Sequence, residues 1–188
     1  MKRPPPRPDR HPGLIAYVEL LRAWAPRLDL ISPGDLDRVW RRHIEDSLRL
    51  GPLLDAAPSG PAADVGSGAG FPGVVLAIAG PPRQWRLIEP RRRRAAWLEE
   101  VVRLLDLDCE VVVAPAAAAA TRADLAEAHA VAVARALAPP VAAFAALRPL
   151  VAPGGVAAVF VGQGAKLPAE AGLWQPGIAT IPATVPNP

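Results

Sequence analysis

Asp64-Val65-Gly66-Ser67-Gly68-Ala69-Gly70-Phe71-Pro72-Gly73 is the stretch on which the reading of the fold turns. The apolar pair Ala62-Ala63 runs into it, and the helix-competent segment Val74–Ala79 leaves it, so the order is strand, glycine loop, helix. Glycine lets a backbone approach a ligand closely, and the helix N-terminus adds unpaired N–H groups. Loops of this kind serve dinucleotides and S-adenosylmethionine alike. Two details separate the two ligands. The dinucleotide fingerprint would place its third glycine at position 71, where this chain has Phe71. Asp64, two residues before Gly66, puts a carboxylate at the strand end, which suits a ligand carrying an ammonium and a sulfonium better than a pyrophosphate. Glu89 closes the next apolar run and can accept from both hydroxyls of a ribose, although by itself it could equally pair with the arginines that follow.

Outward from the loop, strands are expected at 62–65, 85–89, 109–113, 129–134 and 156–161, the last following a turn at Pro153-Gly154-Gly155. Helices are expected at about 72–79, 91–106 and 140–150, with a loop and a short helix over 114–128. Strands alternating with helices give an α/β fold: a doubly wound, mostly parallel, Rossmann-like sheet with its ligand crevice at the carboxyl ends of the first two strands. Upstream, Leu14, Ile15, Val18, Leu21 and Ala25 have helical spacing. Ser32, Pro33 and Asp35 read as the N-cap, first turn and capping-box acid of a second helix bearing Leu36, Val39, Trp40, Ile44 and Leu48. The expected organisation is a disordered Pro/Arg-rich arm over 1–12 and a single domain over 13–188. Within that domain, N-terminal helices span 13–58, the Rossmann-like core 62–162 and an irregular segment 163–188.

A chain of 188 residues suffices for one domain with its own core. Its single cysteine, Cys109, and its three scattered histidines lack metal-ligand spacing, so no metal is expected. One thiol, no secretory leader and no apolar run of membrane-spanning length point to a cytoplasmic protein with no membrane partner. The net charge of +3 is carried by residues 1–12, where four cations face Asp9, so the remainder is formally neutral and supports nucleic-acid binding only weakly. The arginine run 91–94 opens a helix and points around it, which is as consistent with a solvated face as with a phosphate site. Trp40 and Trp97 fall on apolar helical stripes and read as core, His129 as the start of a strand, and Cys109 as an inert strand thiol.

Four motifs in order resemble the bacterial 16S rRNA guanine-N7 methyltransferases (RsmG, also called GidB). These are His43-Ile-Glu-Asp-Ser-Leu48, Asp64 through Gly73, Leu87-Ile-Glu-Pro-Arg-Arg-Arg-Arg94 and Ala134-Arg-Ala136. The resemblance spans roughly residues 14–162. It implies S-adenosylmethionine as cofactor and N7 of a guanine in 16S rRNA, free or in the small ribosomal subunit, as acceptor. It further implies that Asp64, Gly66, Ser67, Gly68, Gly70 and Phe71 line the cofactor site and that Glu89 holds the ribose. Arg135 would face the guanine as a catalytic residue, with His43 and Asp46 beside it and Ser47 helping to close the pocket. Three departures accompany it. Pro115 and the alanines after it stand where an Arg-x-Glu is expected, Val161 where a lysine is expected, and beyond Lys166 the closing basic strands are expected to be missing.

Methyl transfer to N7 uses a free lone pair, so alignment can supply most of the acceleration and no general base is required. Pyrimidine C5 chemistry needs a nucleophilic cysteine, whereas Cys109 sits inside an apolar strand. The Asp/Asn-Pro-Pro-aromatic motif of adenine amino-group enzymes is replaced after the fourth strand by Arg135-Ala-Leu-Ala-Pro-Pro140. Two alternatives stay open at this stage. One is a paralogue acting on another acceptor; the other is an RNA- or ribosome-associated module that binds cofactor without turnover.

Overall fold

The computed structural model describes residues 8–183. Pro8–Arg10 forms a 3₁₀ turn, and helix α1 (Pro12–Leu28) follows with Pro12 at its first position. The part of the 1–12 arm that is described is therefore ordered, with the His11 N–H donating to the Pro8 carbonyl at 3.1 Å; residues 1–7 lie outside the described residues. Leu14, Tyr17, Val18, Leu21 and Ala25 face inward along α1, which ends where Asp29 takes a left-handed conformation (φ 50°).

Ser32 caps the next helix as expected, its Oγ accepting the Asp35 N–H at 3.2 Å. The single long helix expected here is broken instead into α2 (Pro33–Leu36), a π-helical turn (Trp40–Ile44) and α3 (Glu45–Leu48), followed by α4 (Gly51–Ala56). A π turn fits one extra residue into the turn and so redirects the side chains that follow. Apolar spacing does not register this change, because Val39 and Ile44 are buried all the same.

The α/β core then runs β1 (Ala62–Val65), α5 (Gly73–Ala79), β2 (Trp85–Ile88), α6 (Arg92–Leu104), β3 (Cys109–Val112), α7 (Ala116–Ala119), β4 (His129–Ala134), α8 (Pro140–Leu147) and β5 (Val151–Phe160). Two further strands, β6 (Gly172–Gln175) and β7 (Ile178–Pro182), complete a seven-stranded sheet of order β3-β2-β1-β4-β5-β7-β6. β1 to β5 pair in parallel, and β7 pairs antiparallel with both β5 and β6. Side chains alternate across the sheet. Leu87, Val131 and Val133 pack toward α1, α5 and α6, while Ala63, Val65, Ala132 and Ala134 pack toward α7 and α8.

Two sequence expectations are corrected at the C-terminal side. Pro153-Gly154-Gly155 is not a turn preceding a strand. It lies inside β5, where His129 pairs with Val151 and Val131 already with Val156, so the strand bulges and passes on. After 162 the chain is turn and coil as far as Ala171, as expected, but Gly172–Pro182 then forms the β6–β7 hairpin. Two closing strands are thus present, although they carry no basic residue; residues 184–188 lie outside the described residues. Ile178, Ala179 and Ile181 are buried, and Gly177 (φ +80°) supplies the turn. Strand order reverses between β1 and β4, and their carboxyl ends, with that of β2, frame the crevice described next.

Candidate active site

The glycine loop leaves β1 by a tight reversal in which Gly66 N–H and Ser67 N–H both donate to the Ile88 carbonyl, at 2.8 and 3.2 Å. Ser67 Oγ donates back to the Asp64 carbonyl at 2.8 Å, and Gly70 N–H to the Ser67 carbonyl at 2.7 Å. Gly70 has φ +113°, and a Cβ there would lie 2.6 Å from Val74 Cγ2, so both its conformation and the space around it require glycine. Two donors hold the loop from outside. Tyr17 Oη on α1 and Trp97 Nε1 on α6 both donate to the Ala69 carbonyl, at 2.8 and 3.0 Å.

Asp64 is fully buried. Its Oδ2 accepts the N–H of Gly73, the first residue of α5, at 2.9 Å, while Oδ1 has no partner. Burial pushes the carboxyl up to about 7 against the hydrogen bond from Gly73 and the nearby Ser67 hydroxyl, and the Glu89 charge adds to the rise. Glu89, just beyond β2, gives one oxygen to Gly68 N–H and the other to Arg91 N–H, both at 2.9 Å. It thereby ties the glycine loop to the start of α6. Every carboxylate oxygen can accept more than one hydrogen, so acceptor capacity remains on Asp64 and Glu89 for the donors of an ammonium or a ribose. The residues present fit such a ligand.

A second group forms the facing wall. His43, on the π turn, stacks on Phe71 with centroids 4.6 Å apart and planes at 18°, and Tyr17 meets the same ring edge-on. Neither His43 nitrogen has a partner. Burial, assisted by the Arg135 charge, lowers its pKa to about 4. Ser47 is buried and spends its hydroxyl on the His43 carbonyl at 2.6 Å, so it shapes the helix rather than facing the crevice. Arg135 emerges directly after β4. Its Nη2 donates to the Arg42 carbonyl at 2.7 Å and lies 3.3 Å from Asp46 Oδ2, its plane passes over Phe160, and its Nη1 is buried without a partner. Asp46 also receives Arg49 at 2.8 Å. Arg38, Arg41, Arg42, Asp46 and Arg135 line a cleft of about 420 Å³.

The loop set (Asp64, Gly66, Ser67, Gly68, Gly70, Phe71, Glu89) and the wall set (His43, Asp46, Arg135) thus adjoin through the His43–Phe71 stack. Sequence reasoning missed Tyr17, the only tyrosine, whose polar tip on an apolar stripe was the available signal. It also missed Arg49, which carries no pattern at all. Cys109 is half-buried, with its thiol pushed up to about 12 by burial, and His129 holds the Leu150 carbonyl through Nδ1 at 2.8 Å; both are structural. Among the described residues no helix is long and apolar enough to cross a membrane, and no cluster of His, Cys, Asp or Glu could hold a metal ion.

Sheet order, glycine loop and strand-end carboxylates define a Rossmann-like methyltransferase fold. A Corynebacterium glutamicum protein shares it at TM-score 0.62 and 13% identity, covering 92% of this chain and 91% of that one. A Methanococcus maripaludis protein assigned to the S-adenosyl-L-methionine-dependent methyltransferases shares it at TM-score 0.52 and 15% identity, over 70% and 63%. The chain belongs to the GidB family, rRNA small subunit methyltransferase G, whose pattern matches residues 10–172. Ribosomal RNA small subunit methyltransferase G of Acidiphilium cryptum is 41% identical over 86% of this chain and 74% of its own length. The Rhodospirillum centenum relative of the same name is 49% identical over 61% of this chain, and the match spans 49% of that relative's length.

Proposed function

We propose that this chain binds S-adenosylmethionine at the β1 loop and transfers its methyl group to N7 of a guanine in 16S rRNA, in a cytoplasmic setting. The observation that carries the reading is the His43–Phe71 stack, which sets the Arg135 wall against the glycine loop. When bound, S-adenosylmethionine supplies a methyl group on a sulfonium, a leaving group that needs no further activation. A Cβ at Gly68 would meet only the Gly66 carbonyl at 3.7 Å and Arg94 Nη1 at 3.9 Å, so the backbone there is left accessible to a ligand. Glu89 accepts from the ribose hydroxyls while keeping Gly68 and Arg91 in place. Asp64 supports Gly73 with one oxygen and leaves the other as an acceptor for an ammonium.

Arg135 is the catalytic residue that faces the guanine. A guanidinium can donate to O6 and steady the base edge while N7 keeps its lone pair for the methyl carbon. Asp46 and the Arg42 carbonyl hold that guanidinium in place. His43, neutral at pH 7 because burial lowers its pKa to about 4, forms the wall over Phe71 without adding charge beside a cationic ligand. No proton leaves N7, so the absence of a required base fits the residues available. The decisive experiment is mass spectrometry of 16S rRNA nucleosides from a strain lacking the gene, paired with tritiated-methyl transfer to that rRNA by the purified protein. Loss of one 7-methylguanosine in the strain and its restoration in vitro is the expected result. Cofactor binding with no transfer to any rRNA or subunit would replace this reading with a binding module lacking turnover.

A further inference from the structure

We propose that the cleft beside Arg135 is a subsite for RNA backbone phosphate, in which Arg38 and Arg41 grip the phosphodiester next to the target guanine. The inference deepens the proposed function and rests on it for the identity of the nucleic acid. Four guanidinium groups and one carboxylate line the cleft, whose volume of about 420 Å³ lies in the range of small-ligand sites. Residues 13–188 are formally neutral overall, so this cluster is a local excess and not a share of general basicity.

Its members are held unequally. Arg135 is fixed by Arg42 and Asp46 on the base side. Arg42 Nε is engaged by Asp35 at 2.9 Å, whereas Arg38 donates Nε to the Gly34 carbonyl at 3.0 Å and reaches the Asp35 carboxylate only at 3.9 Å through Nη2, with its side chain 65% exposed. Arg41 is exposed and makes no ion pair among the described residues. The outer Nη edge of Arg38 and the guanidinium of Arg41 are therefore weakly committed at the mouth of a cleft whose floor holds Arg135. A guanidinium fork matches the paired oxygens of a phosphodiester, which makes arginine the apt residue for such a grip. The π turn (Trp40–Ile44) presents Arg41 and Arg42 here while turning His43 onto Phe71, so phosphate and cofactor walls share one short element.

The test uses the full chain and an unmethylated 16S rRNA transcript in filter binding across a salt series. The variants are Arg38→Ala/Arg41→Ala, the same pair changed to Lys, and Arg103→Ala as a remote control at the far end of α6. The alanine pair should weaken binding about tenfold at low salt. It should also make the slope of log affinity against log salt shallower by about 0.7 for each phosphate that is no longer neutralised. The lysine pair should keep the slope, Arg103→Ala should behave as wild type, and titration with S-adenosylmethionine should be unchanged in all. An alanine pair that matches Arg103→Ala in affinity and slope would overturn the subsite, as would competition by an acidic peptide as effective as RNA of equal charge. Methyl transfer separates the two readings. Wild-type transfer with an unaltered rRNA KM in the alanine pair sinks the cleft alone; slope-sensitive binding without any wild-type transfer sinks the enzyme and leaves the cleft.

Discussion

Arg49 holds Asp46 at 2.8 Å and, with the other end of its guanidinium, donates to the carbonyl of Pro176 in the turn of the β6–β7 hairpin. Gln175 returns a bond to the Arg49 carbonyl at 2.7 Å. Asp46 in turn faces Arg135, so the last hairpin of the sheet is connected to Arg135 through two side chains.

Arg49→Ala should therefore reduce transfer without touching cofactor affinity. The pair is partly solvated, with side chains 37% and 27% exposed, which limits its worth to about 1 kcal/mol or less. The expected outcome is a fall in kcat/KM of up to about fivefold, with an unchanged S-adenosylmethionine isotherm. A loss of both would make Arg49 a fold residue only.

The limits of the sequence show at the same place. Strands β1 to β4 and the helices α5, α6 and α8 could be located because each is an apolar run or stripe bounded by glycine, proline or charge. The glycine loop could be read because only backbone freedom explains three alternate glycines. β5 could not be bounded, since Pro153-Gly154-Gly155 has turn composition yet is absorbed as a bulge in a strand paired on both sides. The β6–β7 hairpin was hidden because its buried face is only Ile178, Ala179 and Ile181 amid prolines and glycines. Its link to Arg49 is long-range and leaves no periodic trace.

Tyr17 and Trp97 share one acceptor, and that arrangement is testable by coupling. Tyr17→Phe removes a buried donor but leaves the Ala69 carbonyl its bond from Trp97. The expected loss is about 0.5–1.5 kcal/mol, a melting-temperature drop of a few degrees, with a severalfold weaker cofactor affinity. Trp97→Phe should behave similarly, and the double variant should lose more than the sum, because the carbonyl is then buried without a partner. Strict additivity in calorimetry would show that the loop does not depend on these donors.

Asp64 and His43 should tilt the pH dependence of stability in opposite directions. Asp64 titrates near 7 when folded and near 3.8 when unfolded, so between those values the folded state holds the extra proton and stability falls as pH rises. His43 titrates near 4 when folded and near 6.5 when unfolded, so over that window the unfolded state holds the extra proton and stability rises with pH. The two contributions oppose each other from about pH 4 to 6.5. In urea unfolding, Asp64→Asn should steepen the gain in stability with pH across that range, and His43→Phe, which keeps the stack on Phe71, should reverse or flatten it. Equal slopes in both variants would contradict the environments described for these groups.

Gly68 and Gly73 separate obstruction of a ligand from disruption of the fold. At Gly73 a Cβ would lie 2.6 Å from Leu87 Cδ2, 2.7 Å from Asp64 Oδ2 and 2.8 Å from Asp64 Cβ. Asp64 is anchored in β1, so Gly73→Ala must displace strand or helix and should cost roughly 1–3 kcal/mol, read as a clear drop in melting temperature before any ligand is added. Gly68 is different. A Cβ there has nothing nearer than 3.7 Å, but the residue sits at φ +57°, which costs a non-glycine residue about 1–2 kcal/mol. Gly68→Ala should fold with a modestly lower melting temperature and bind S-adenosylmethionine at least tenfold more weakly, because the added methyl occupies the approach to the loop. Gly68→Asn isolates the cause, since asparagine tolerates the left-handed region and should recover stability without recovering affinity. If both Gly68 variants bind S-adenosylmethionine like wild type, the loop is only a turn between β1 and α5 and the proposed cofactor site is lost.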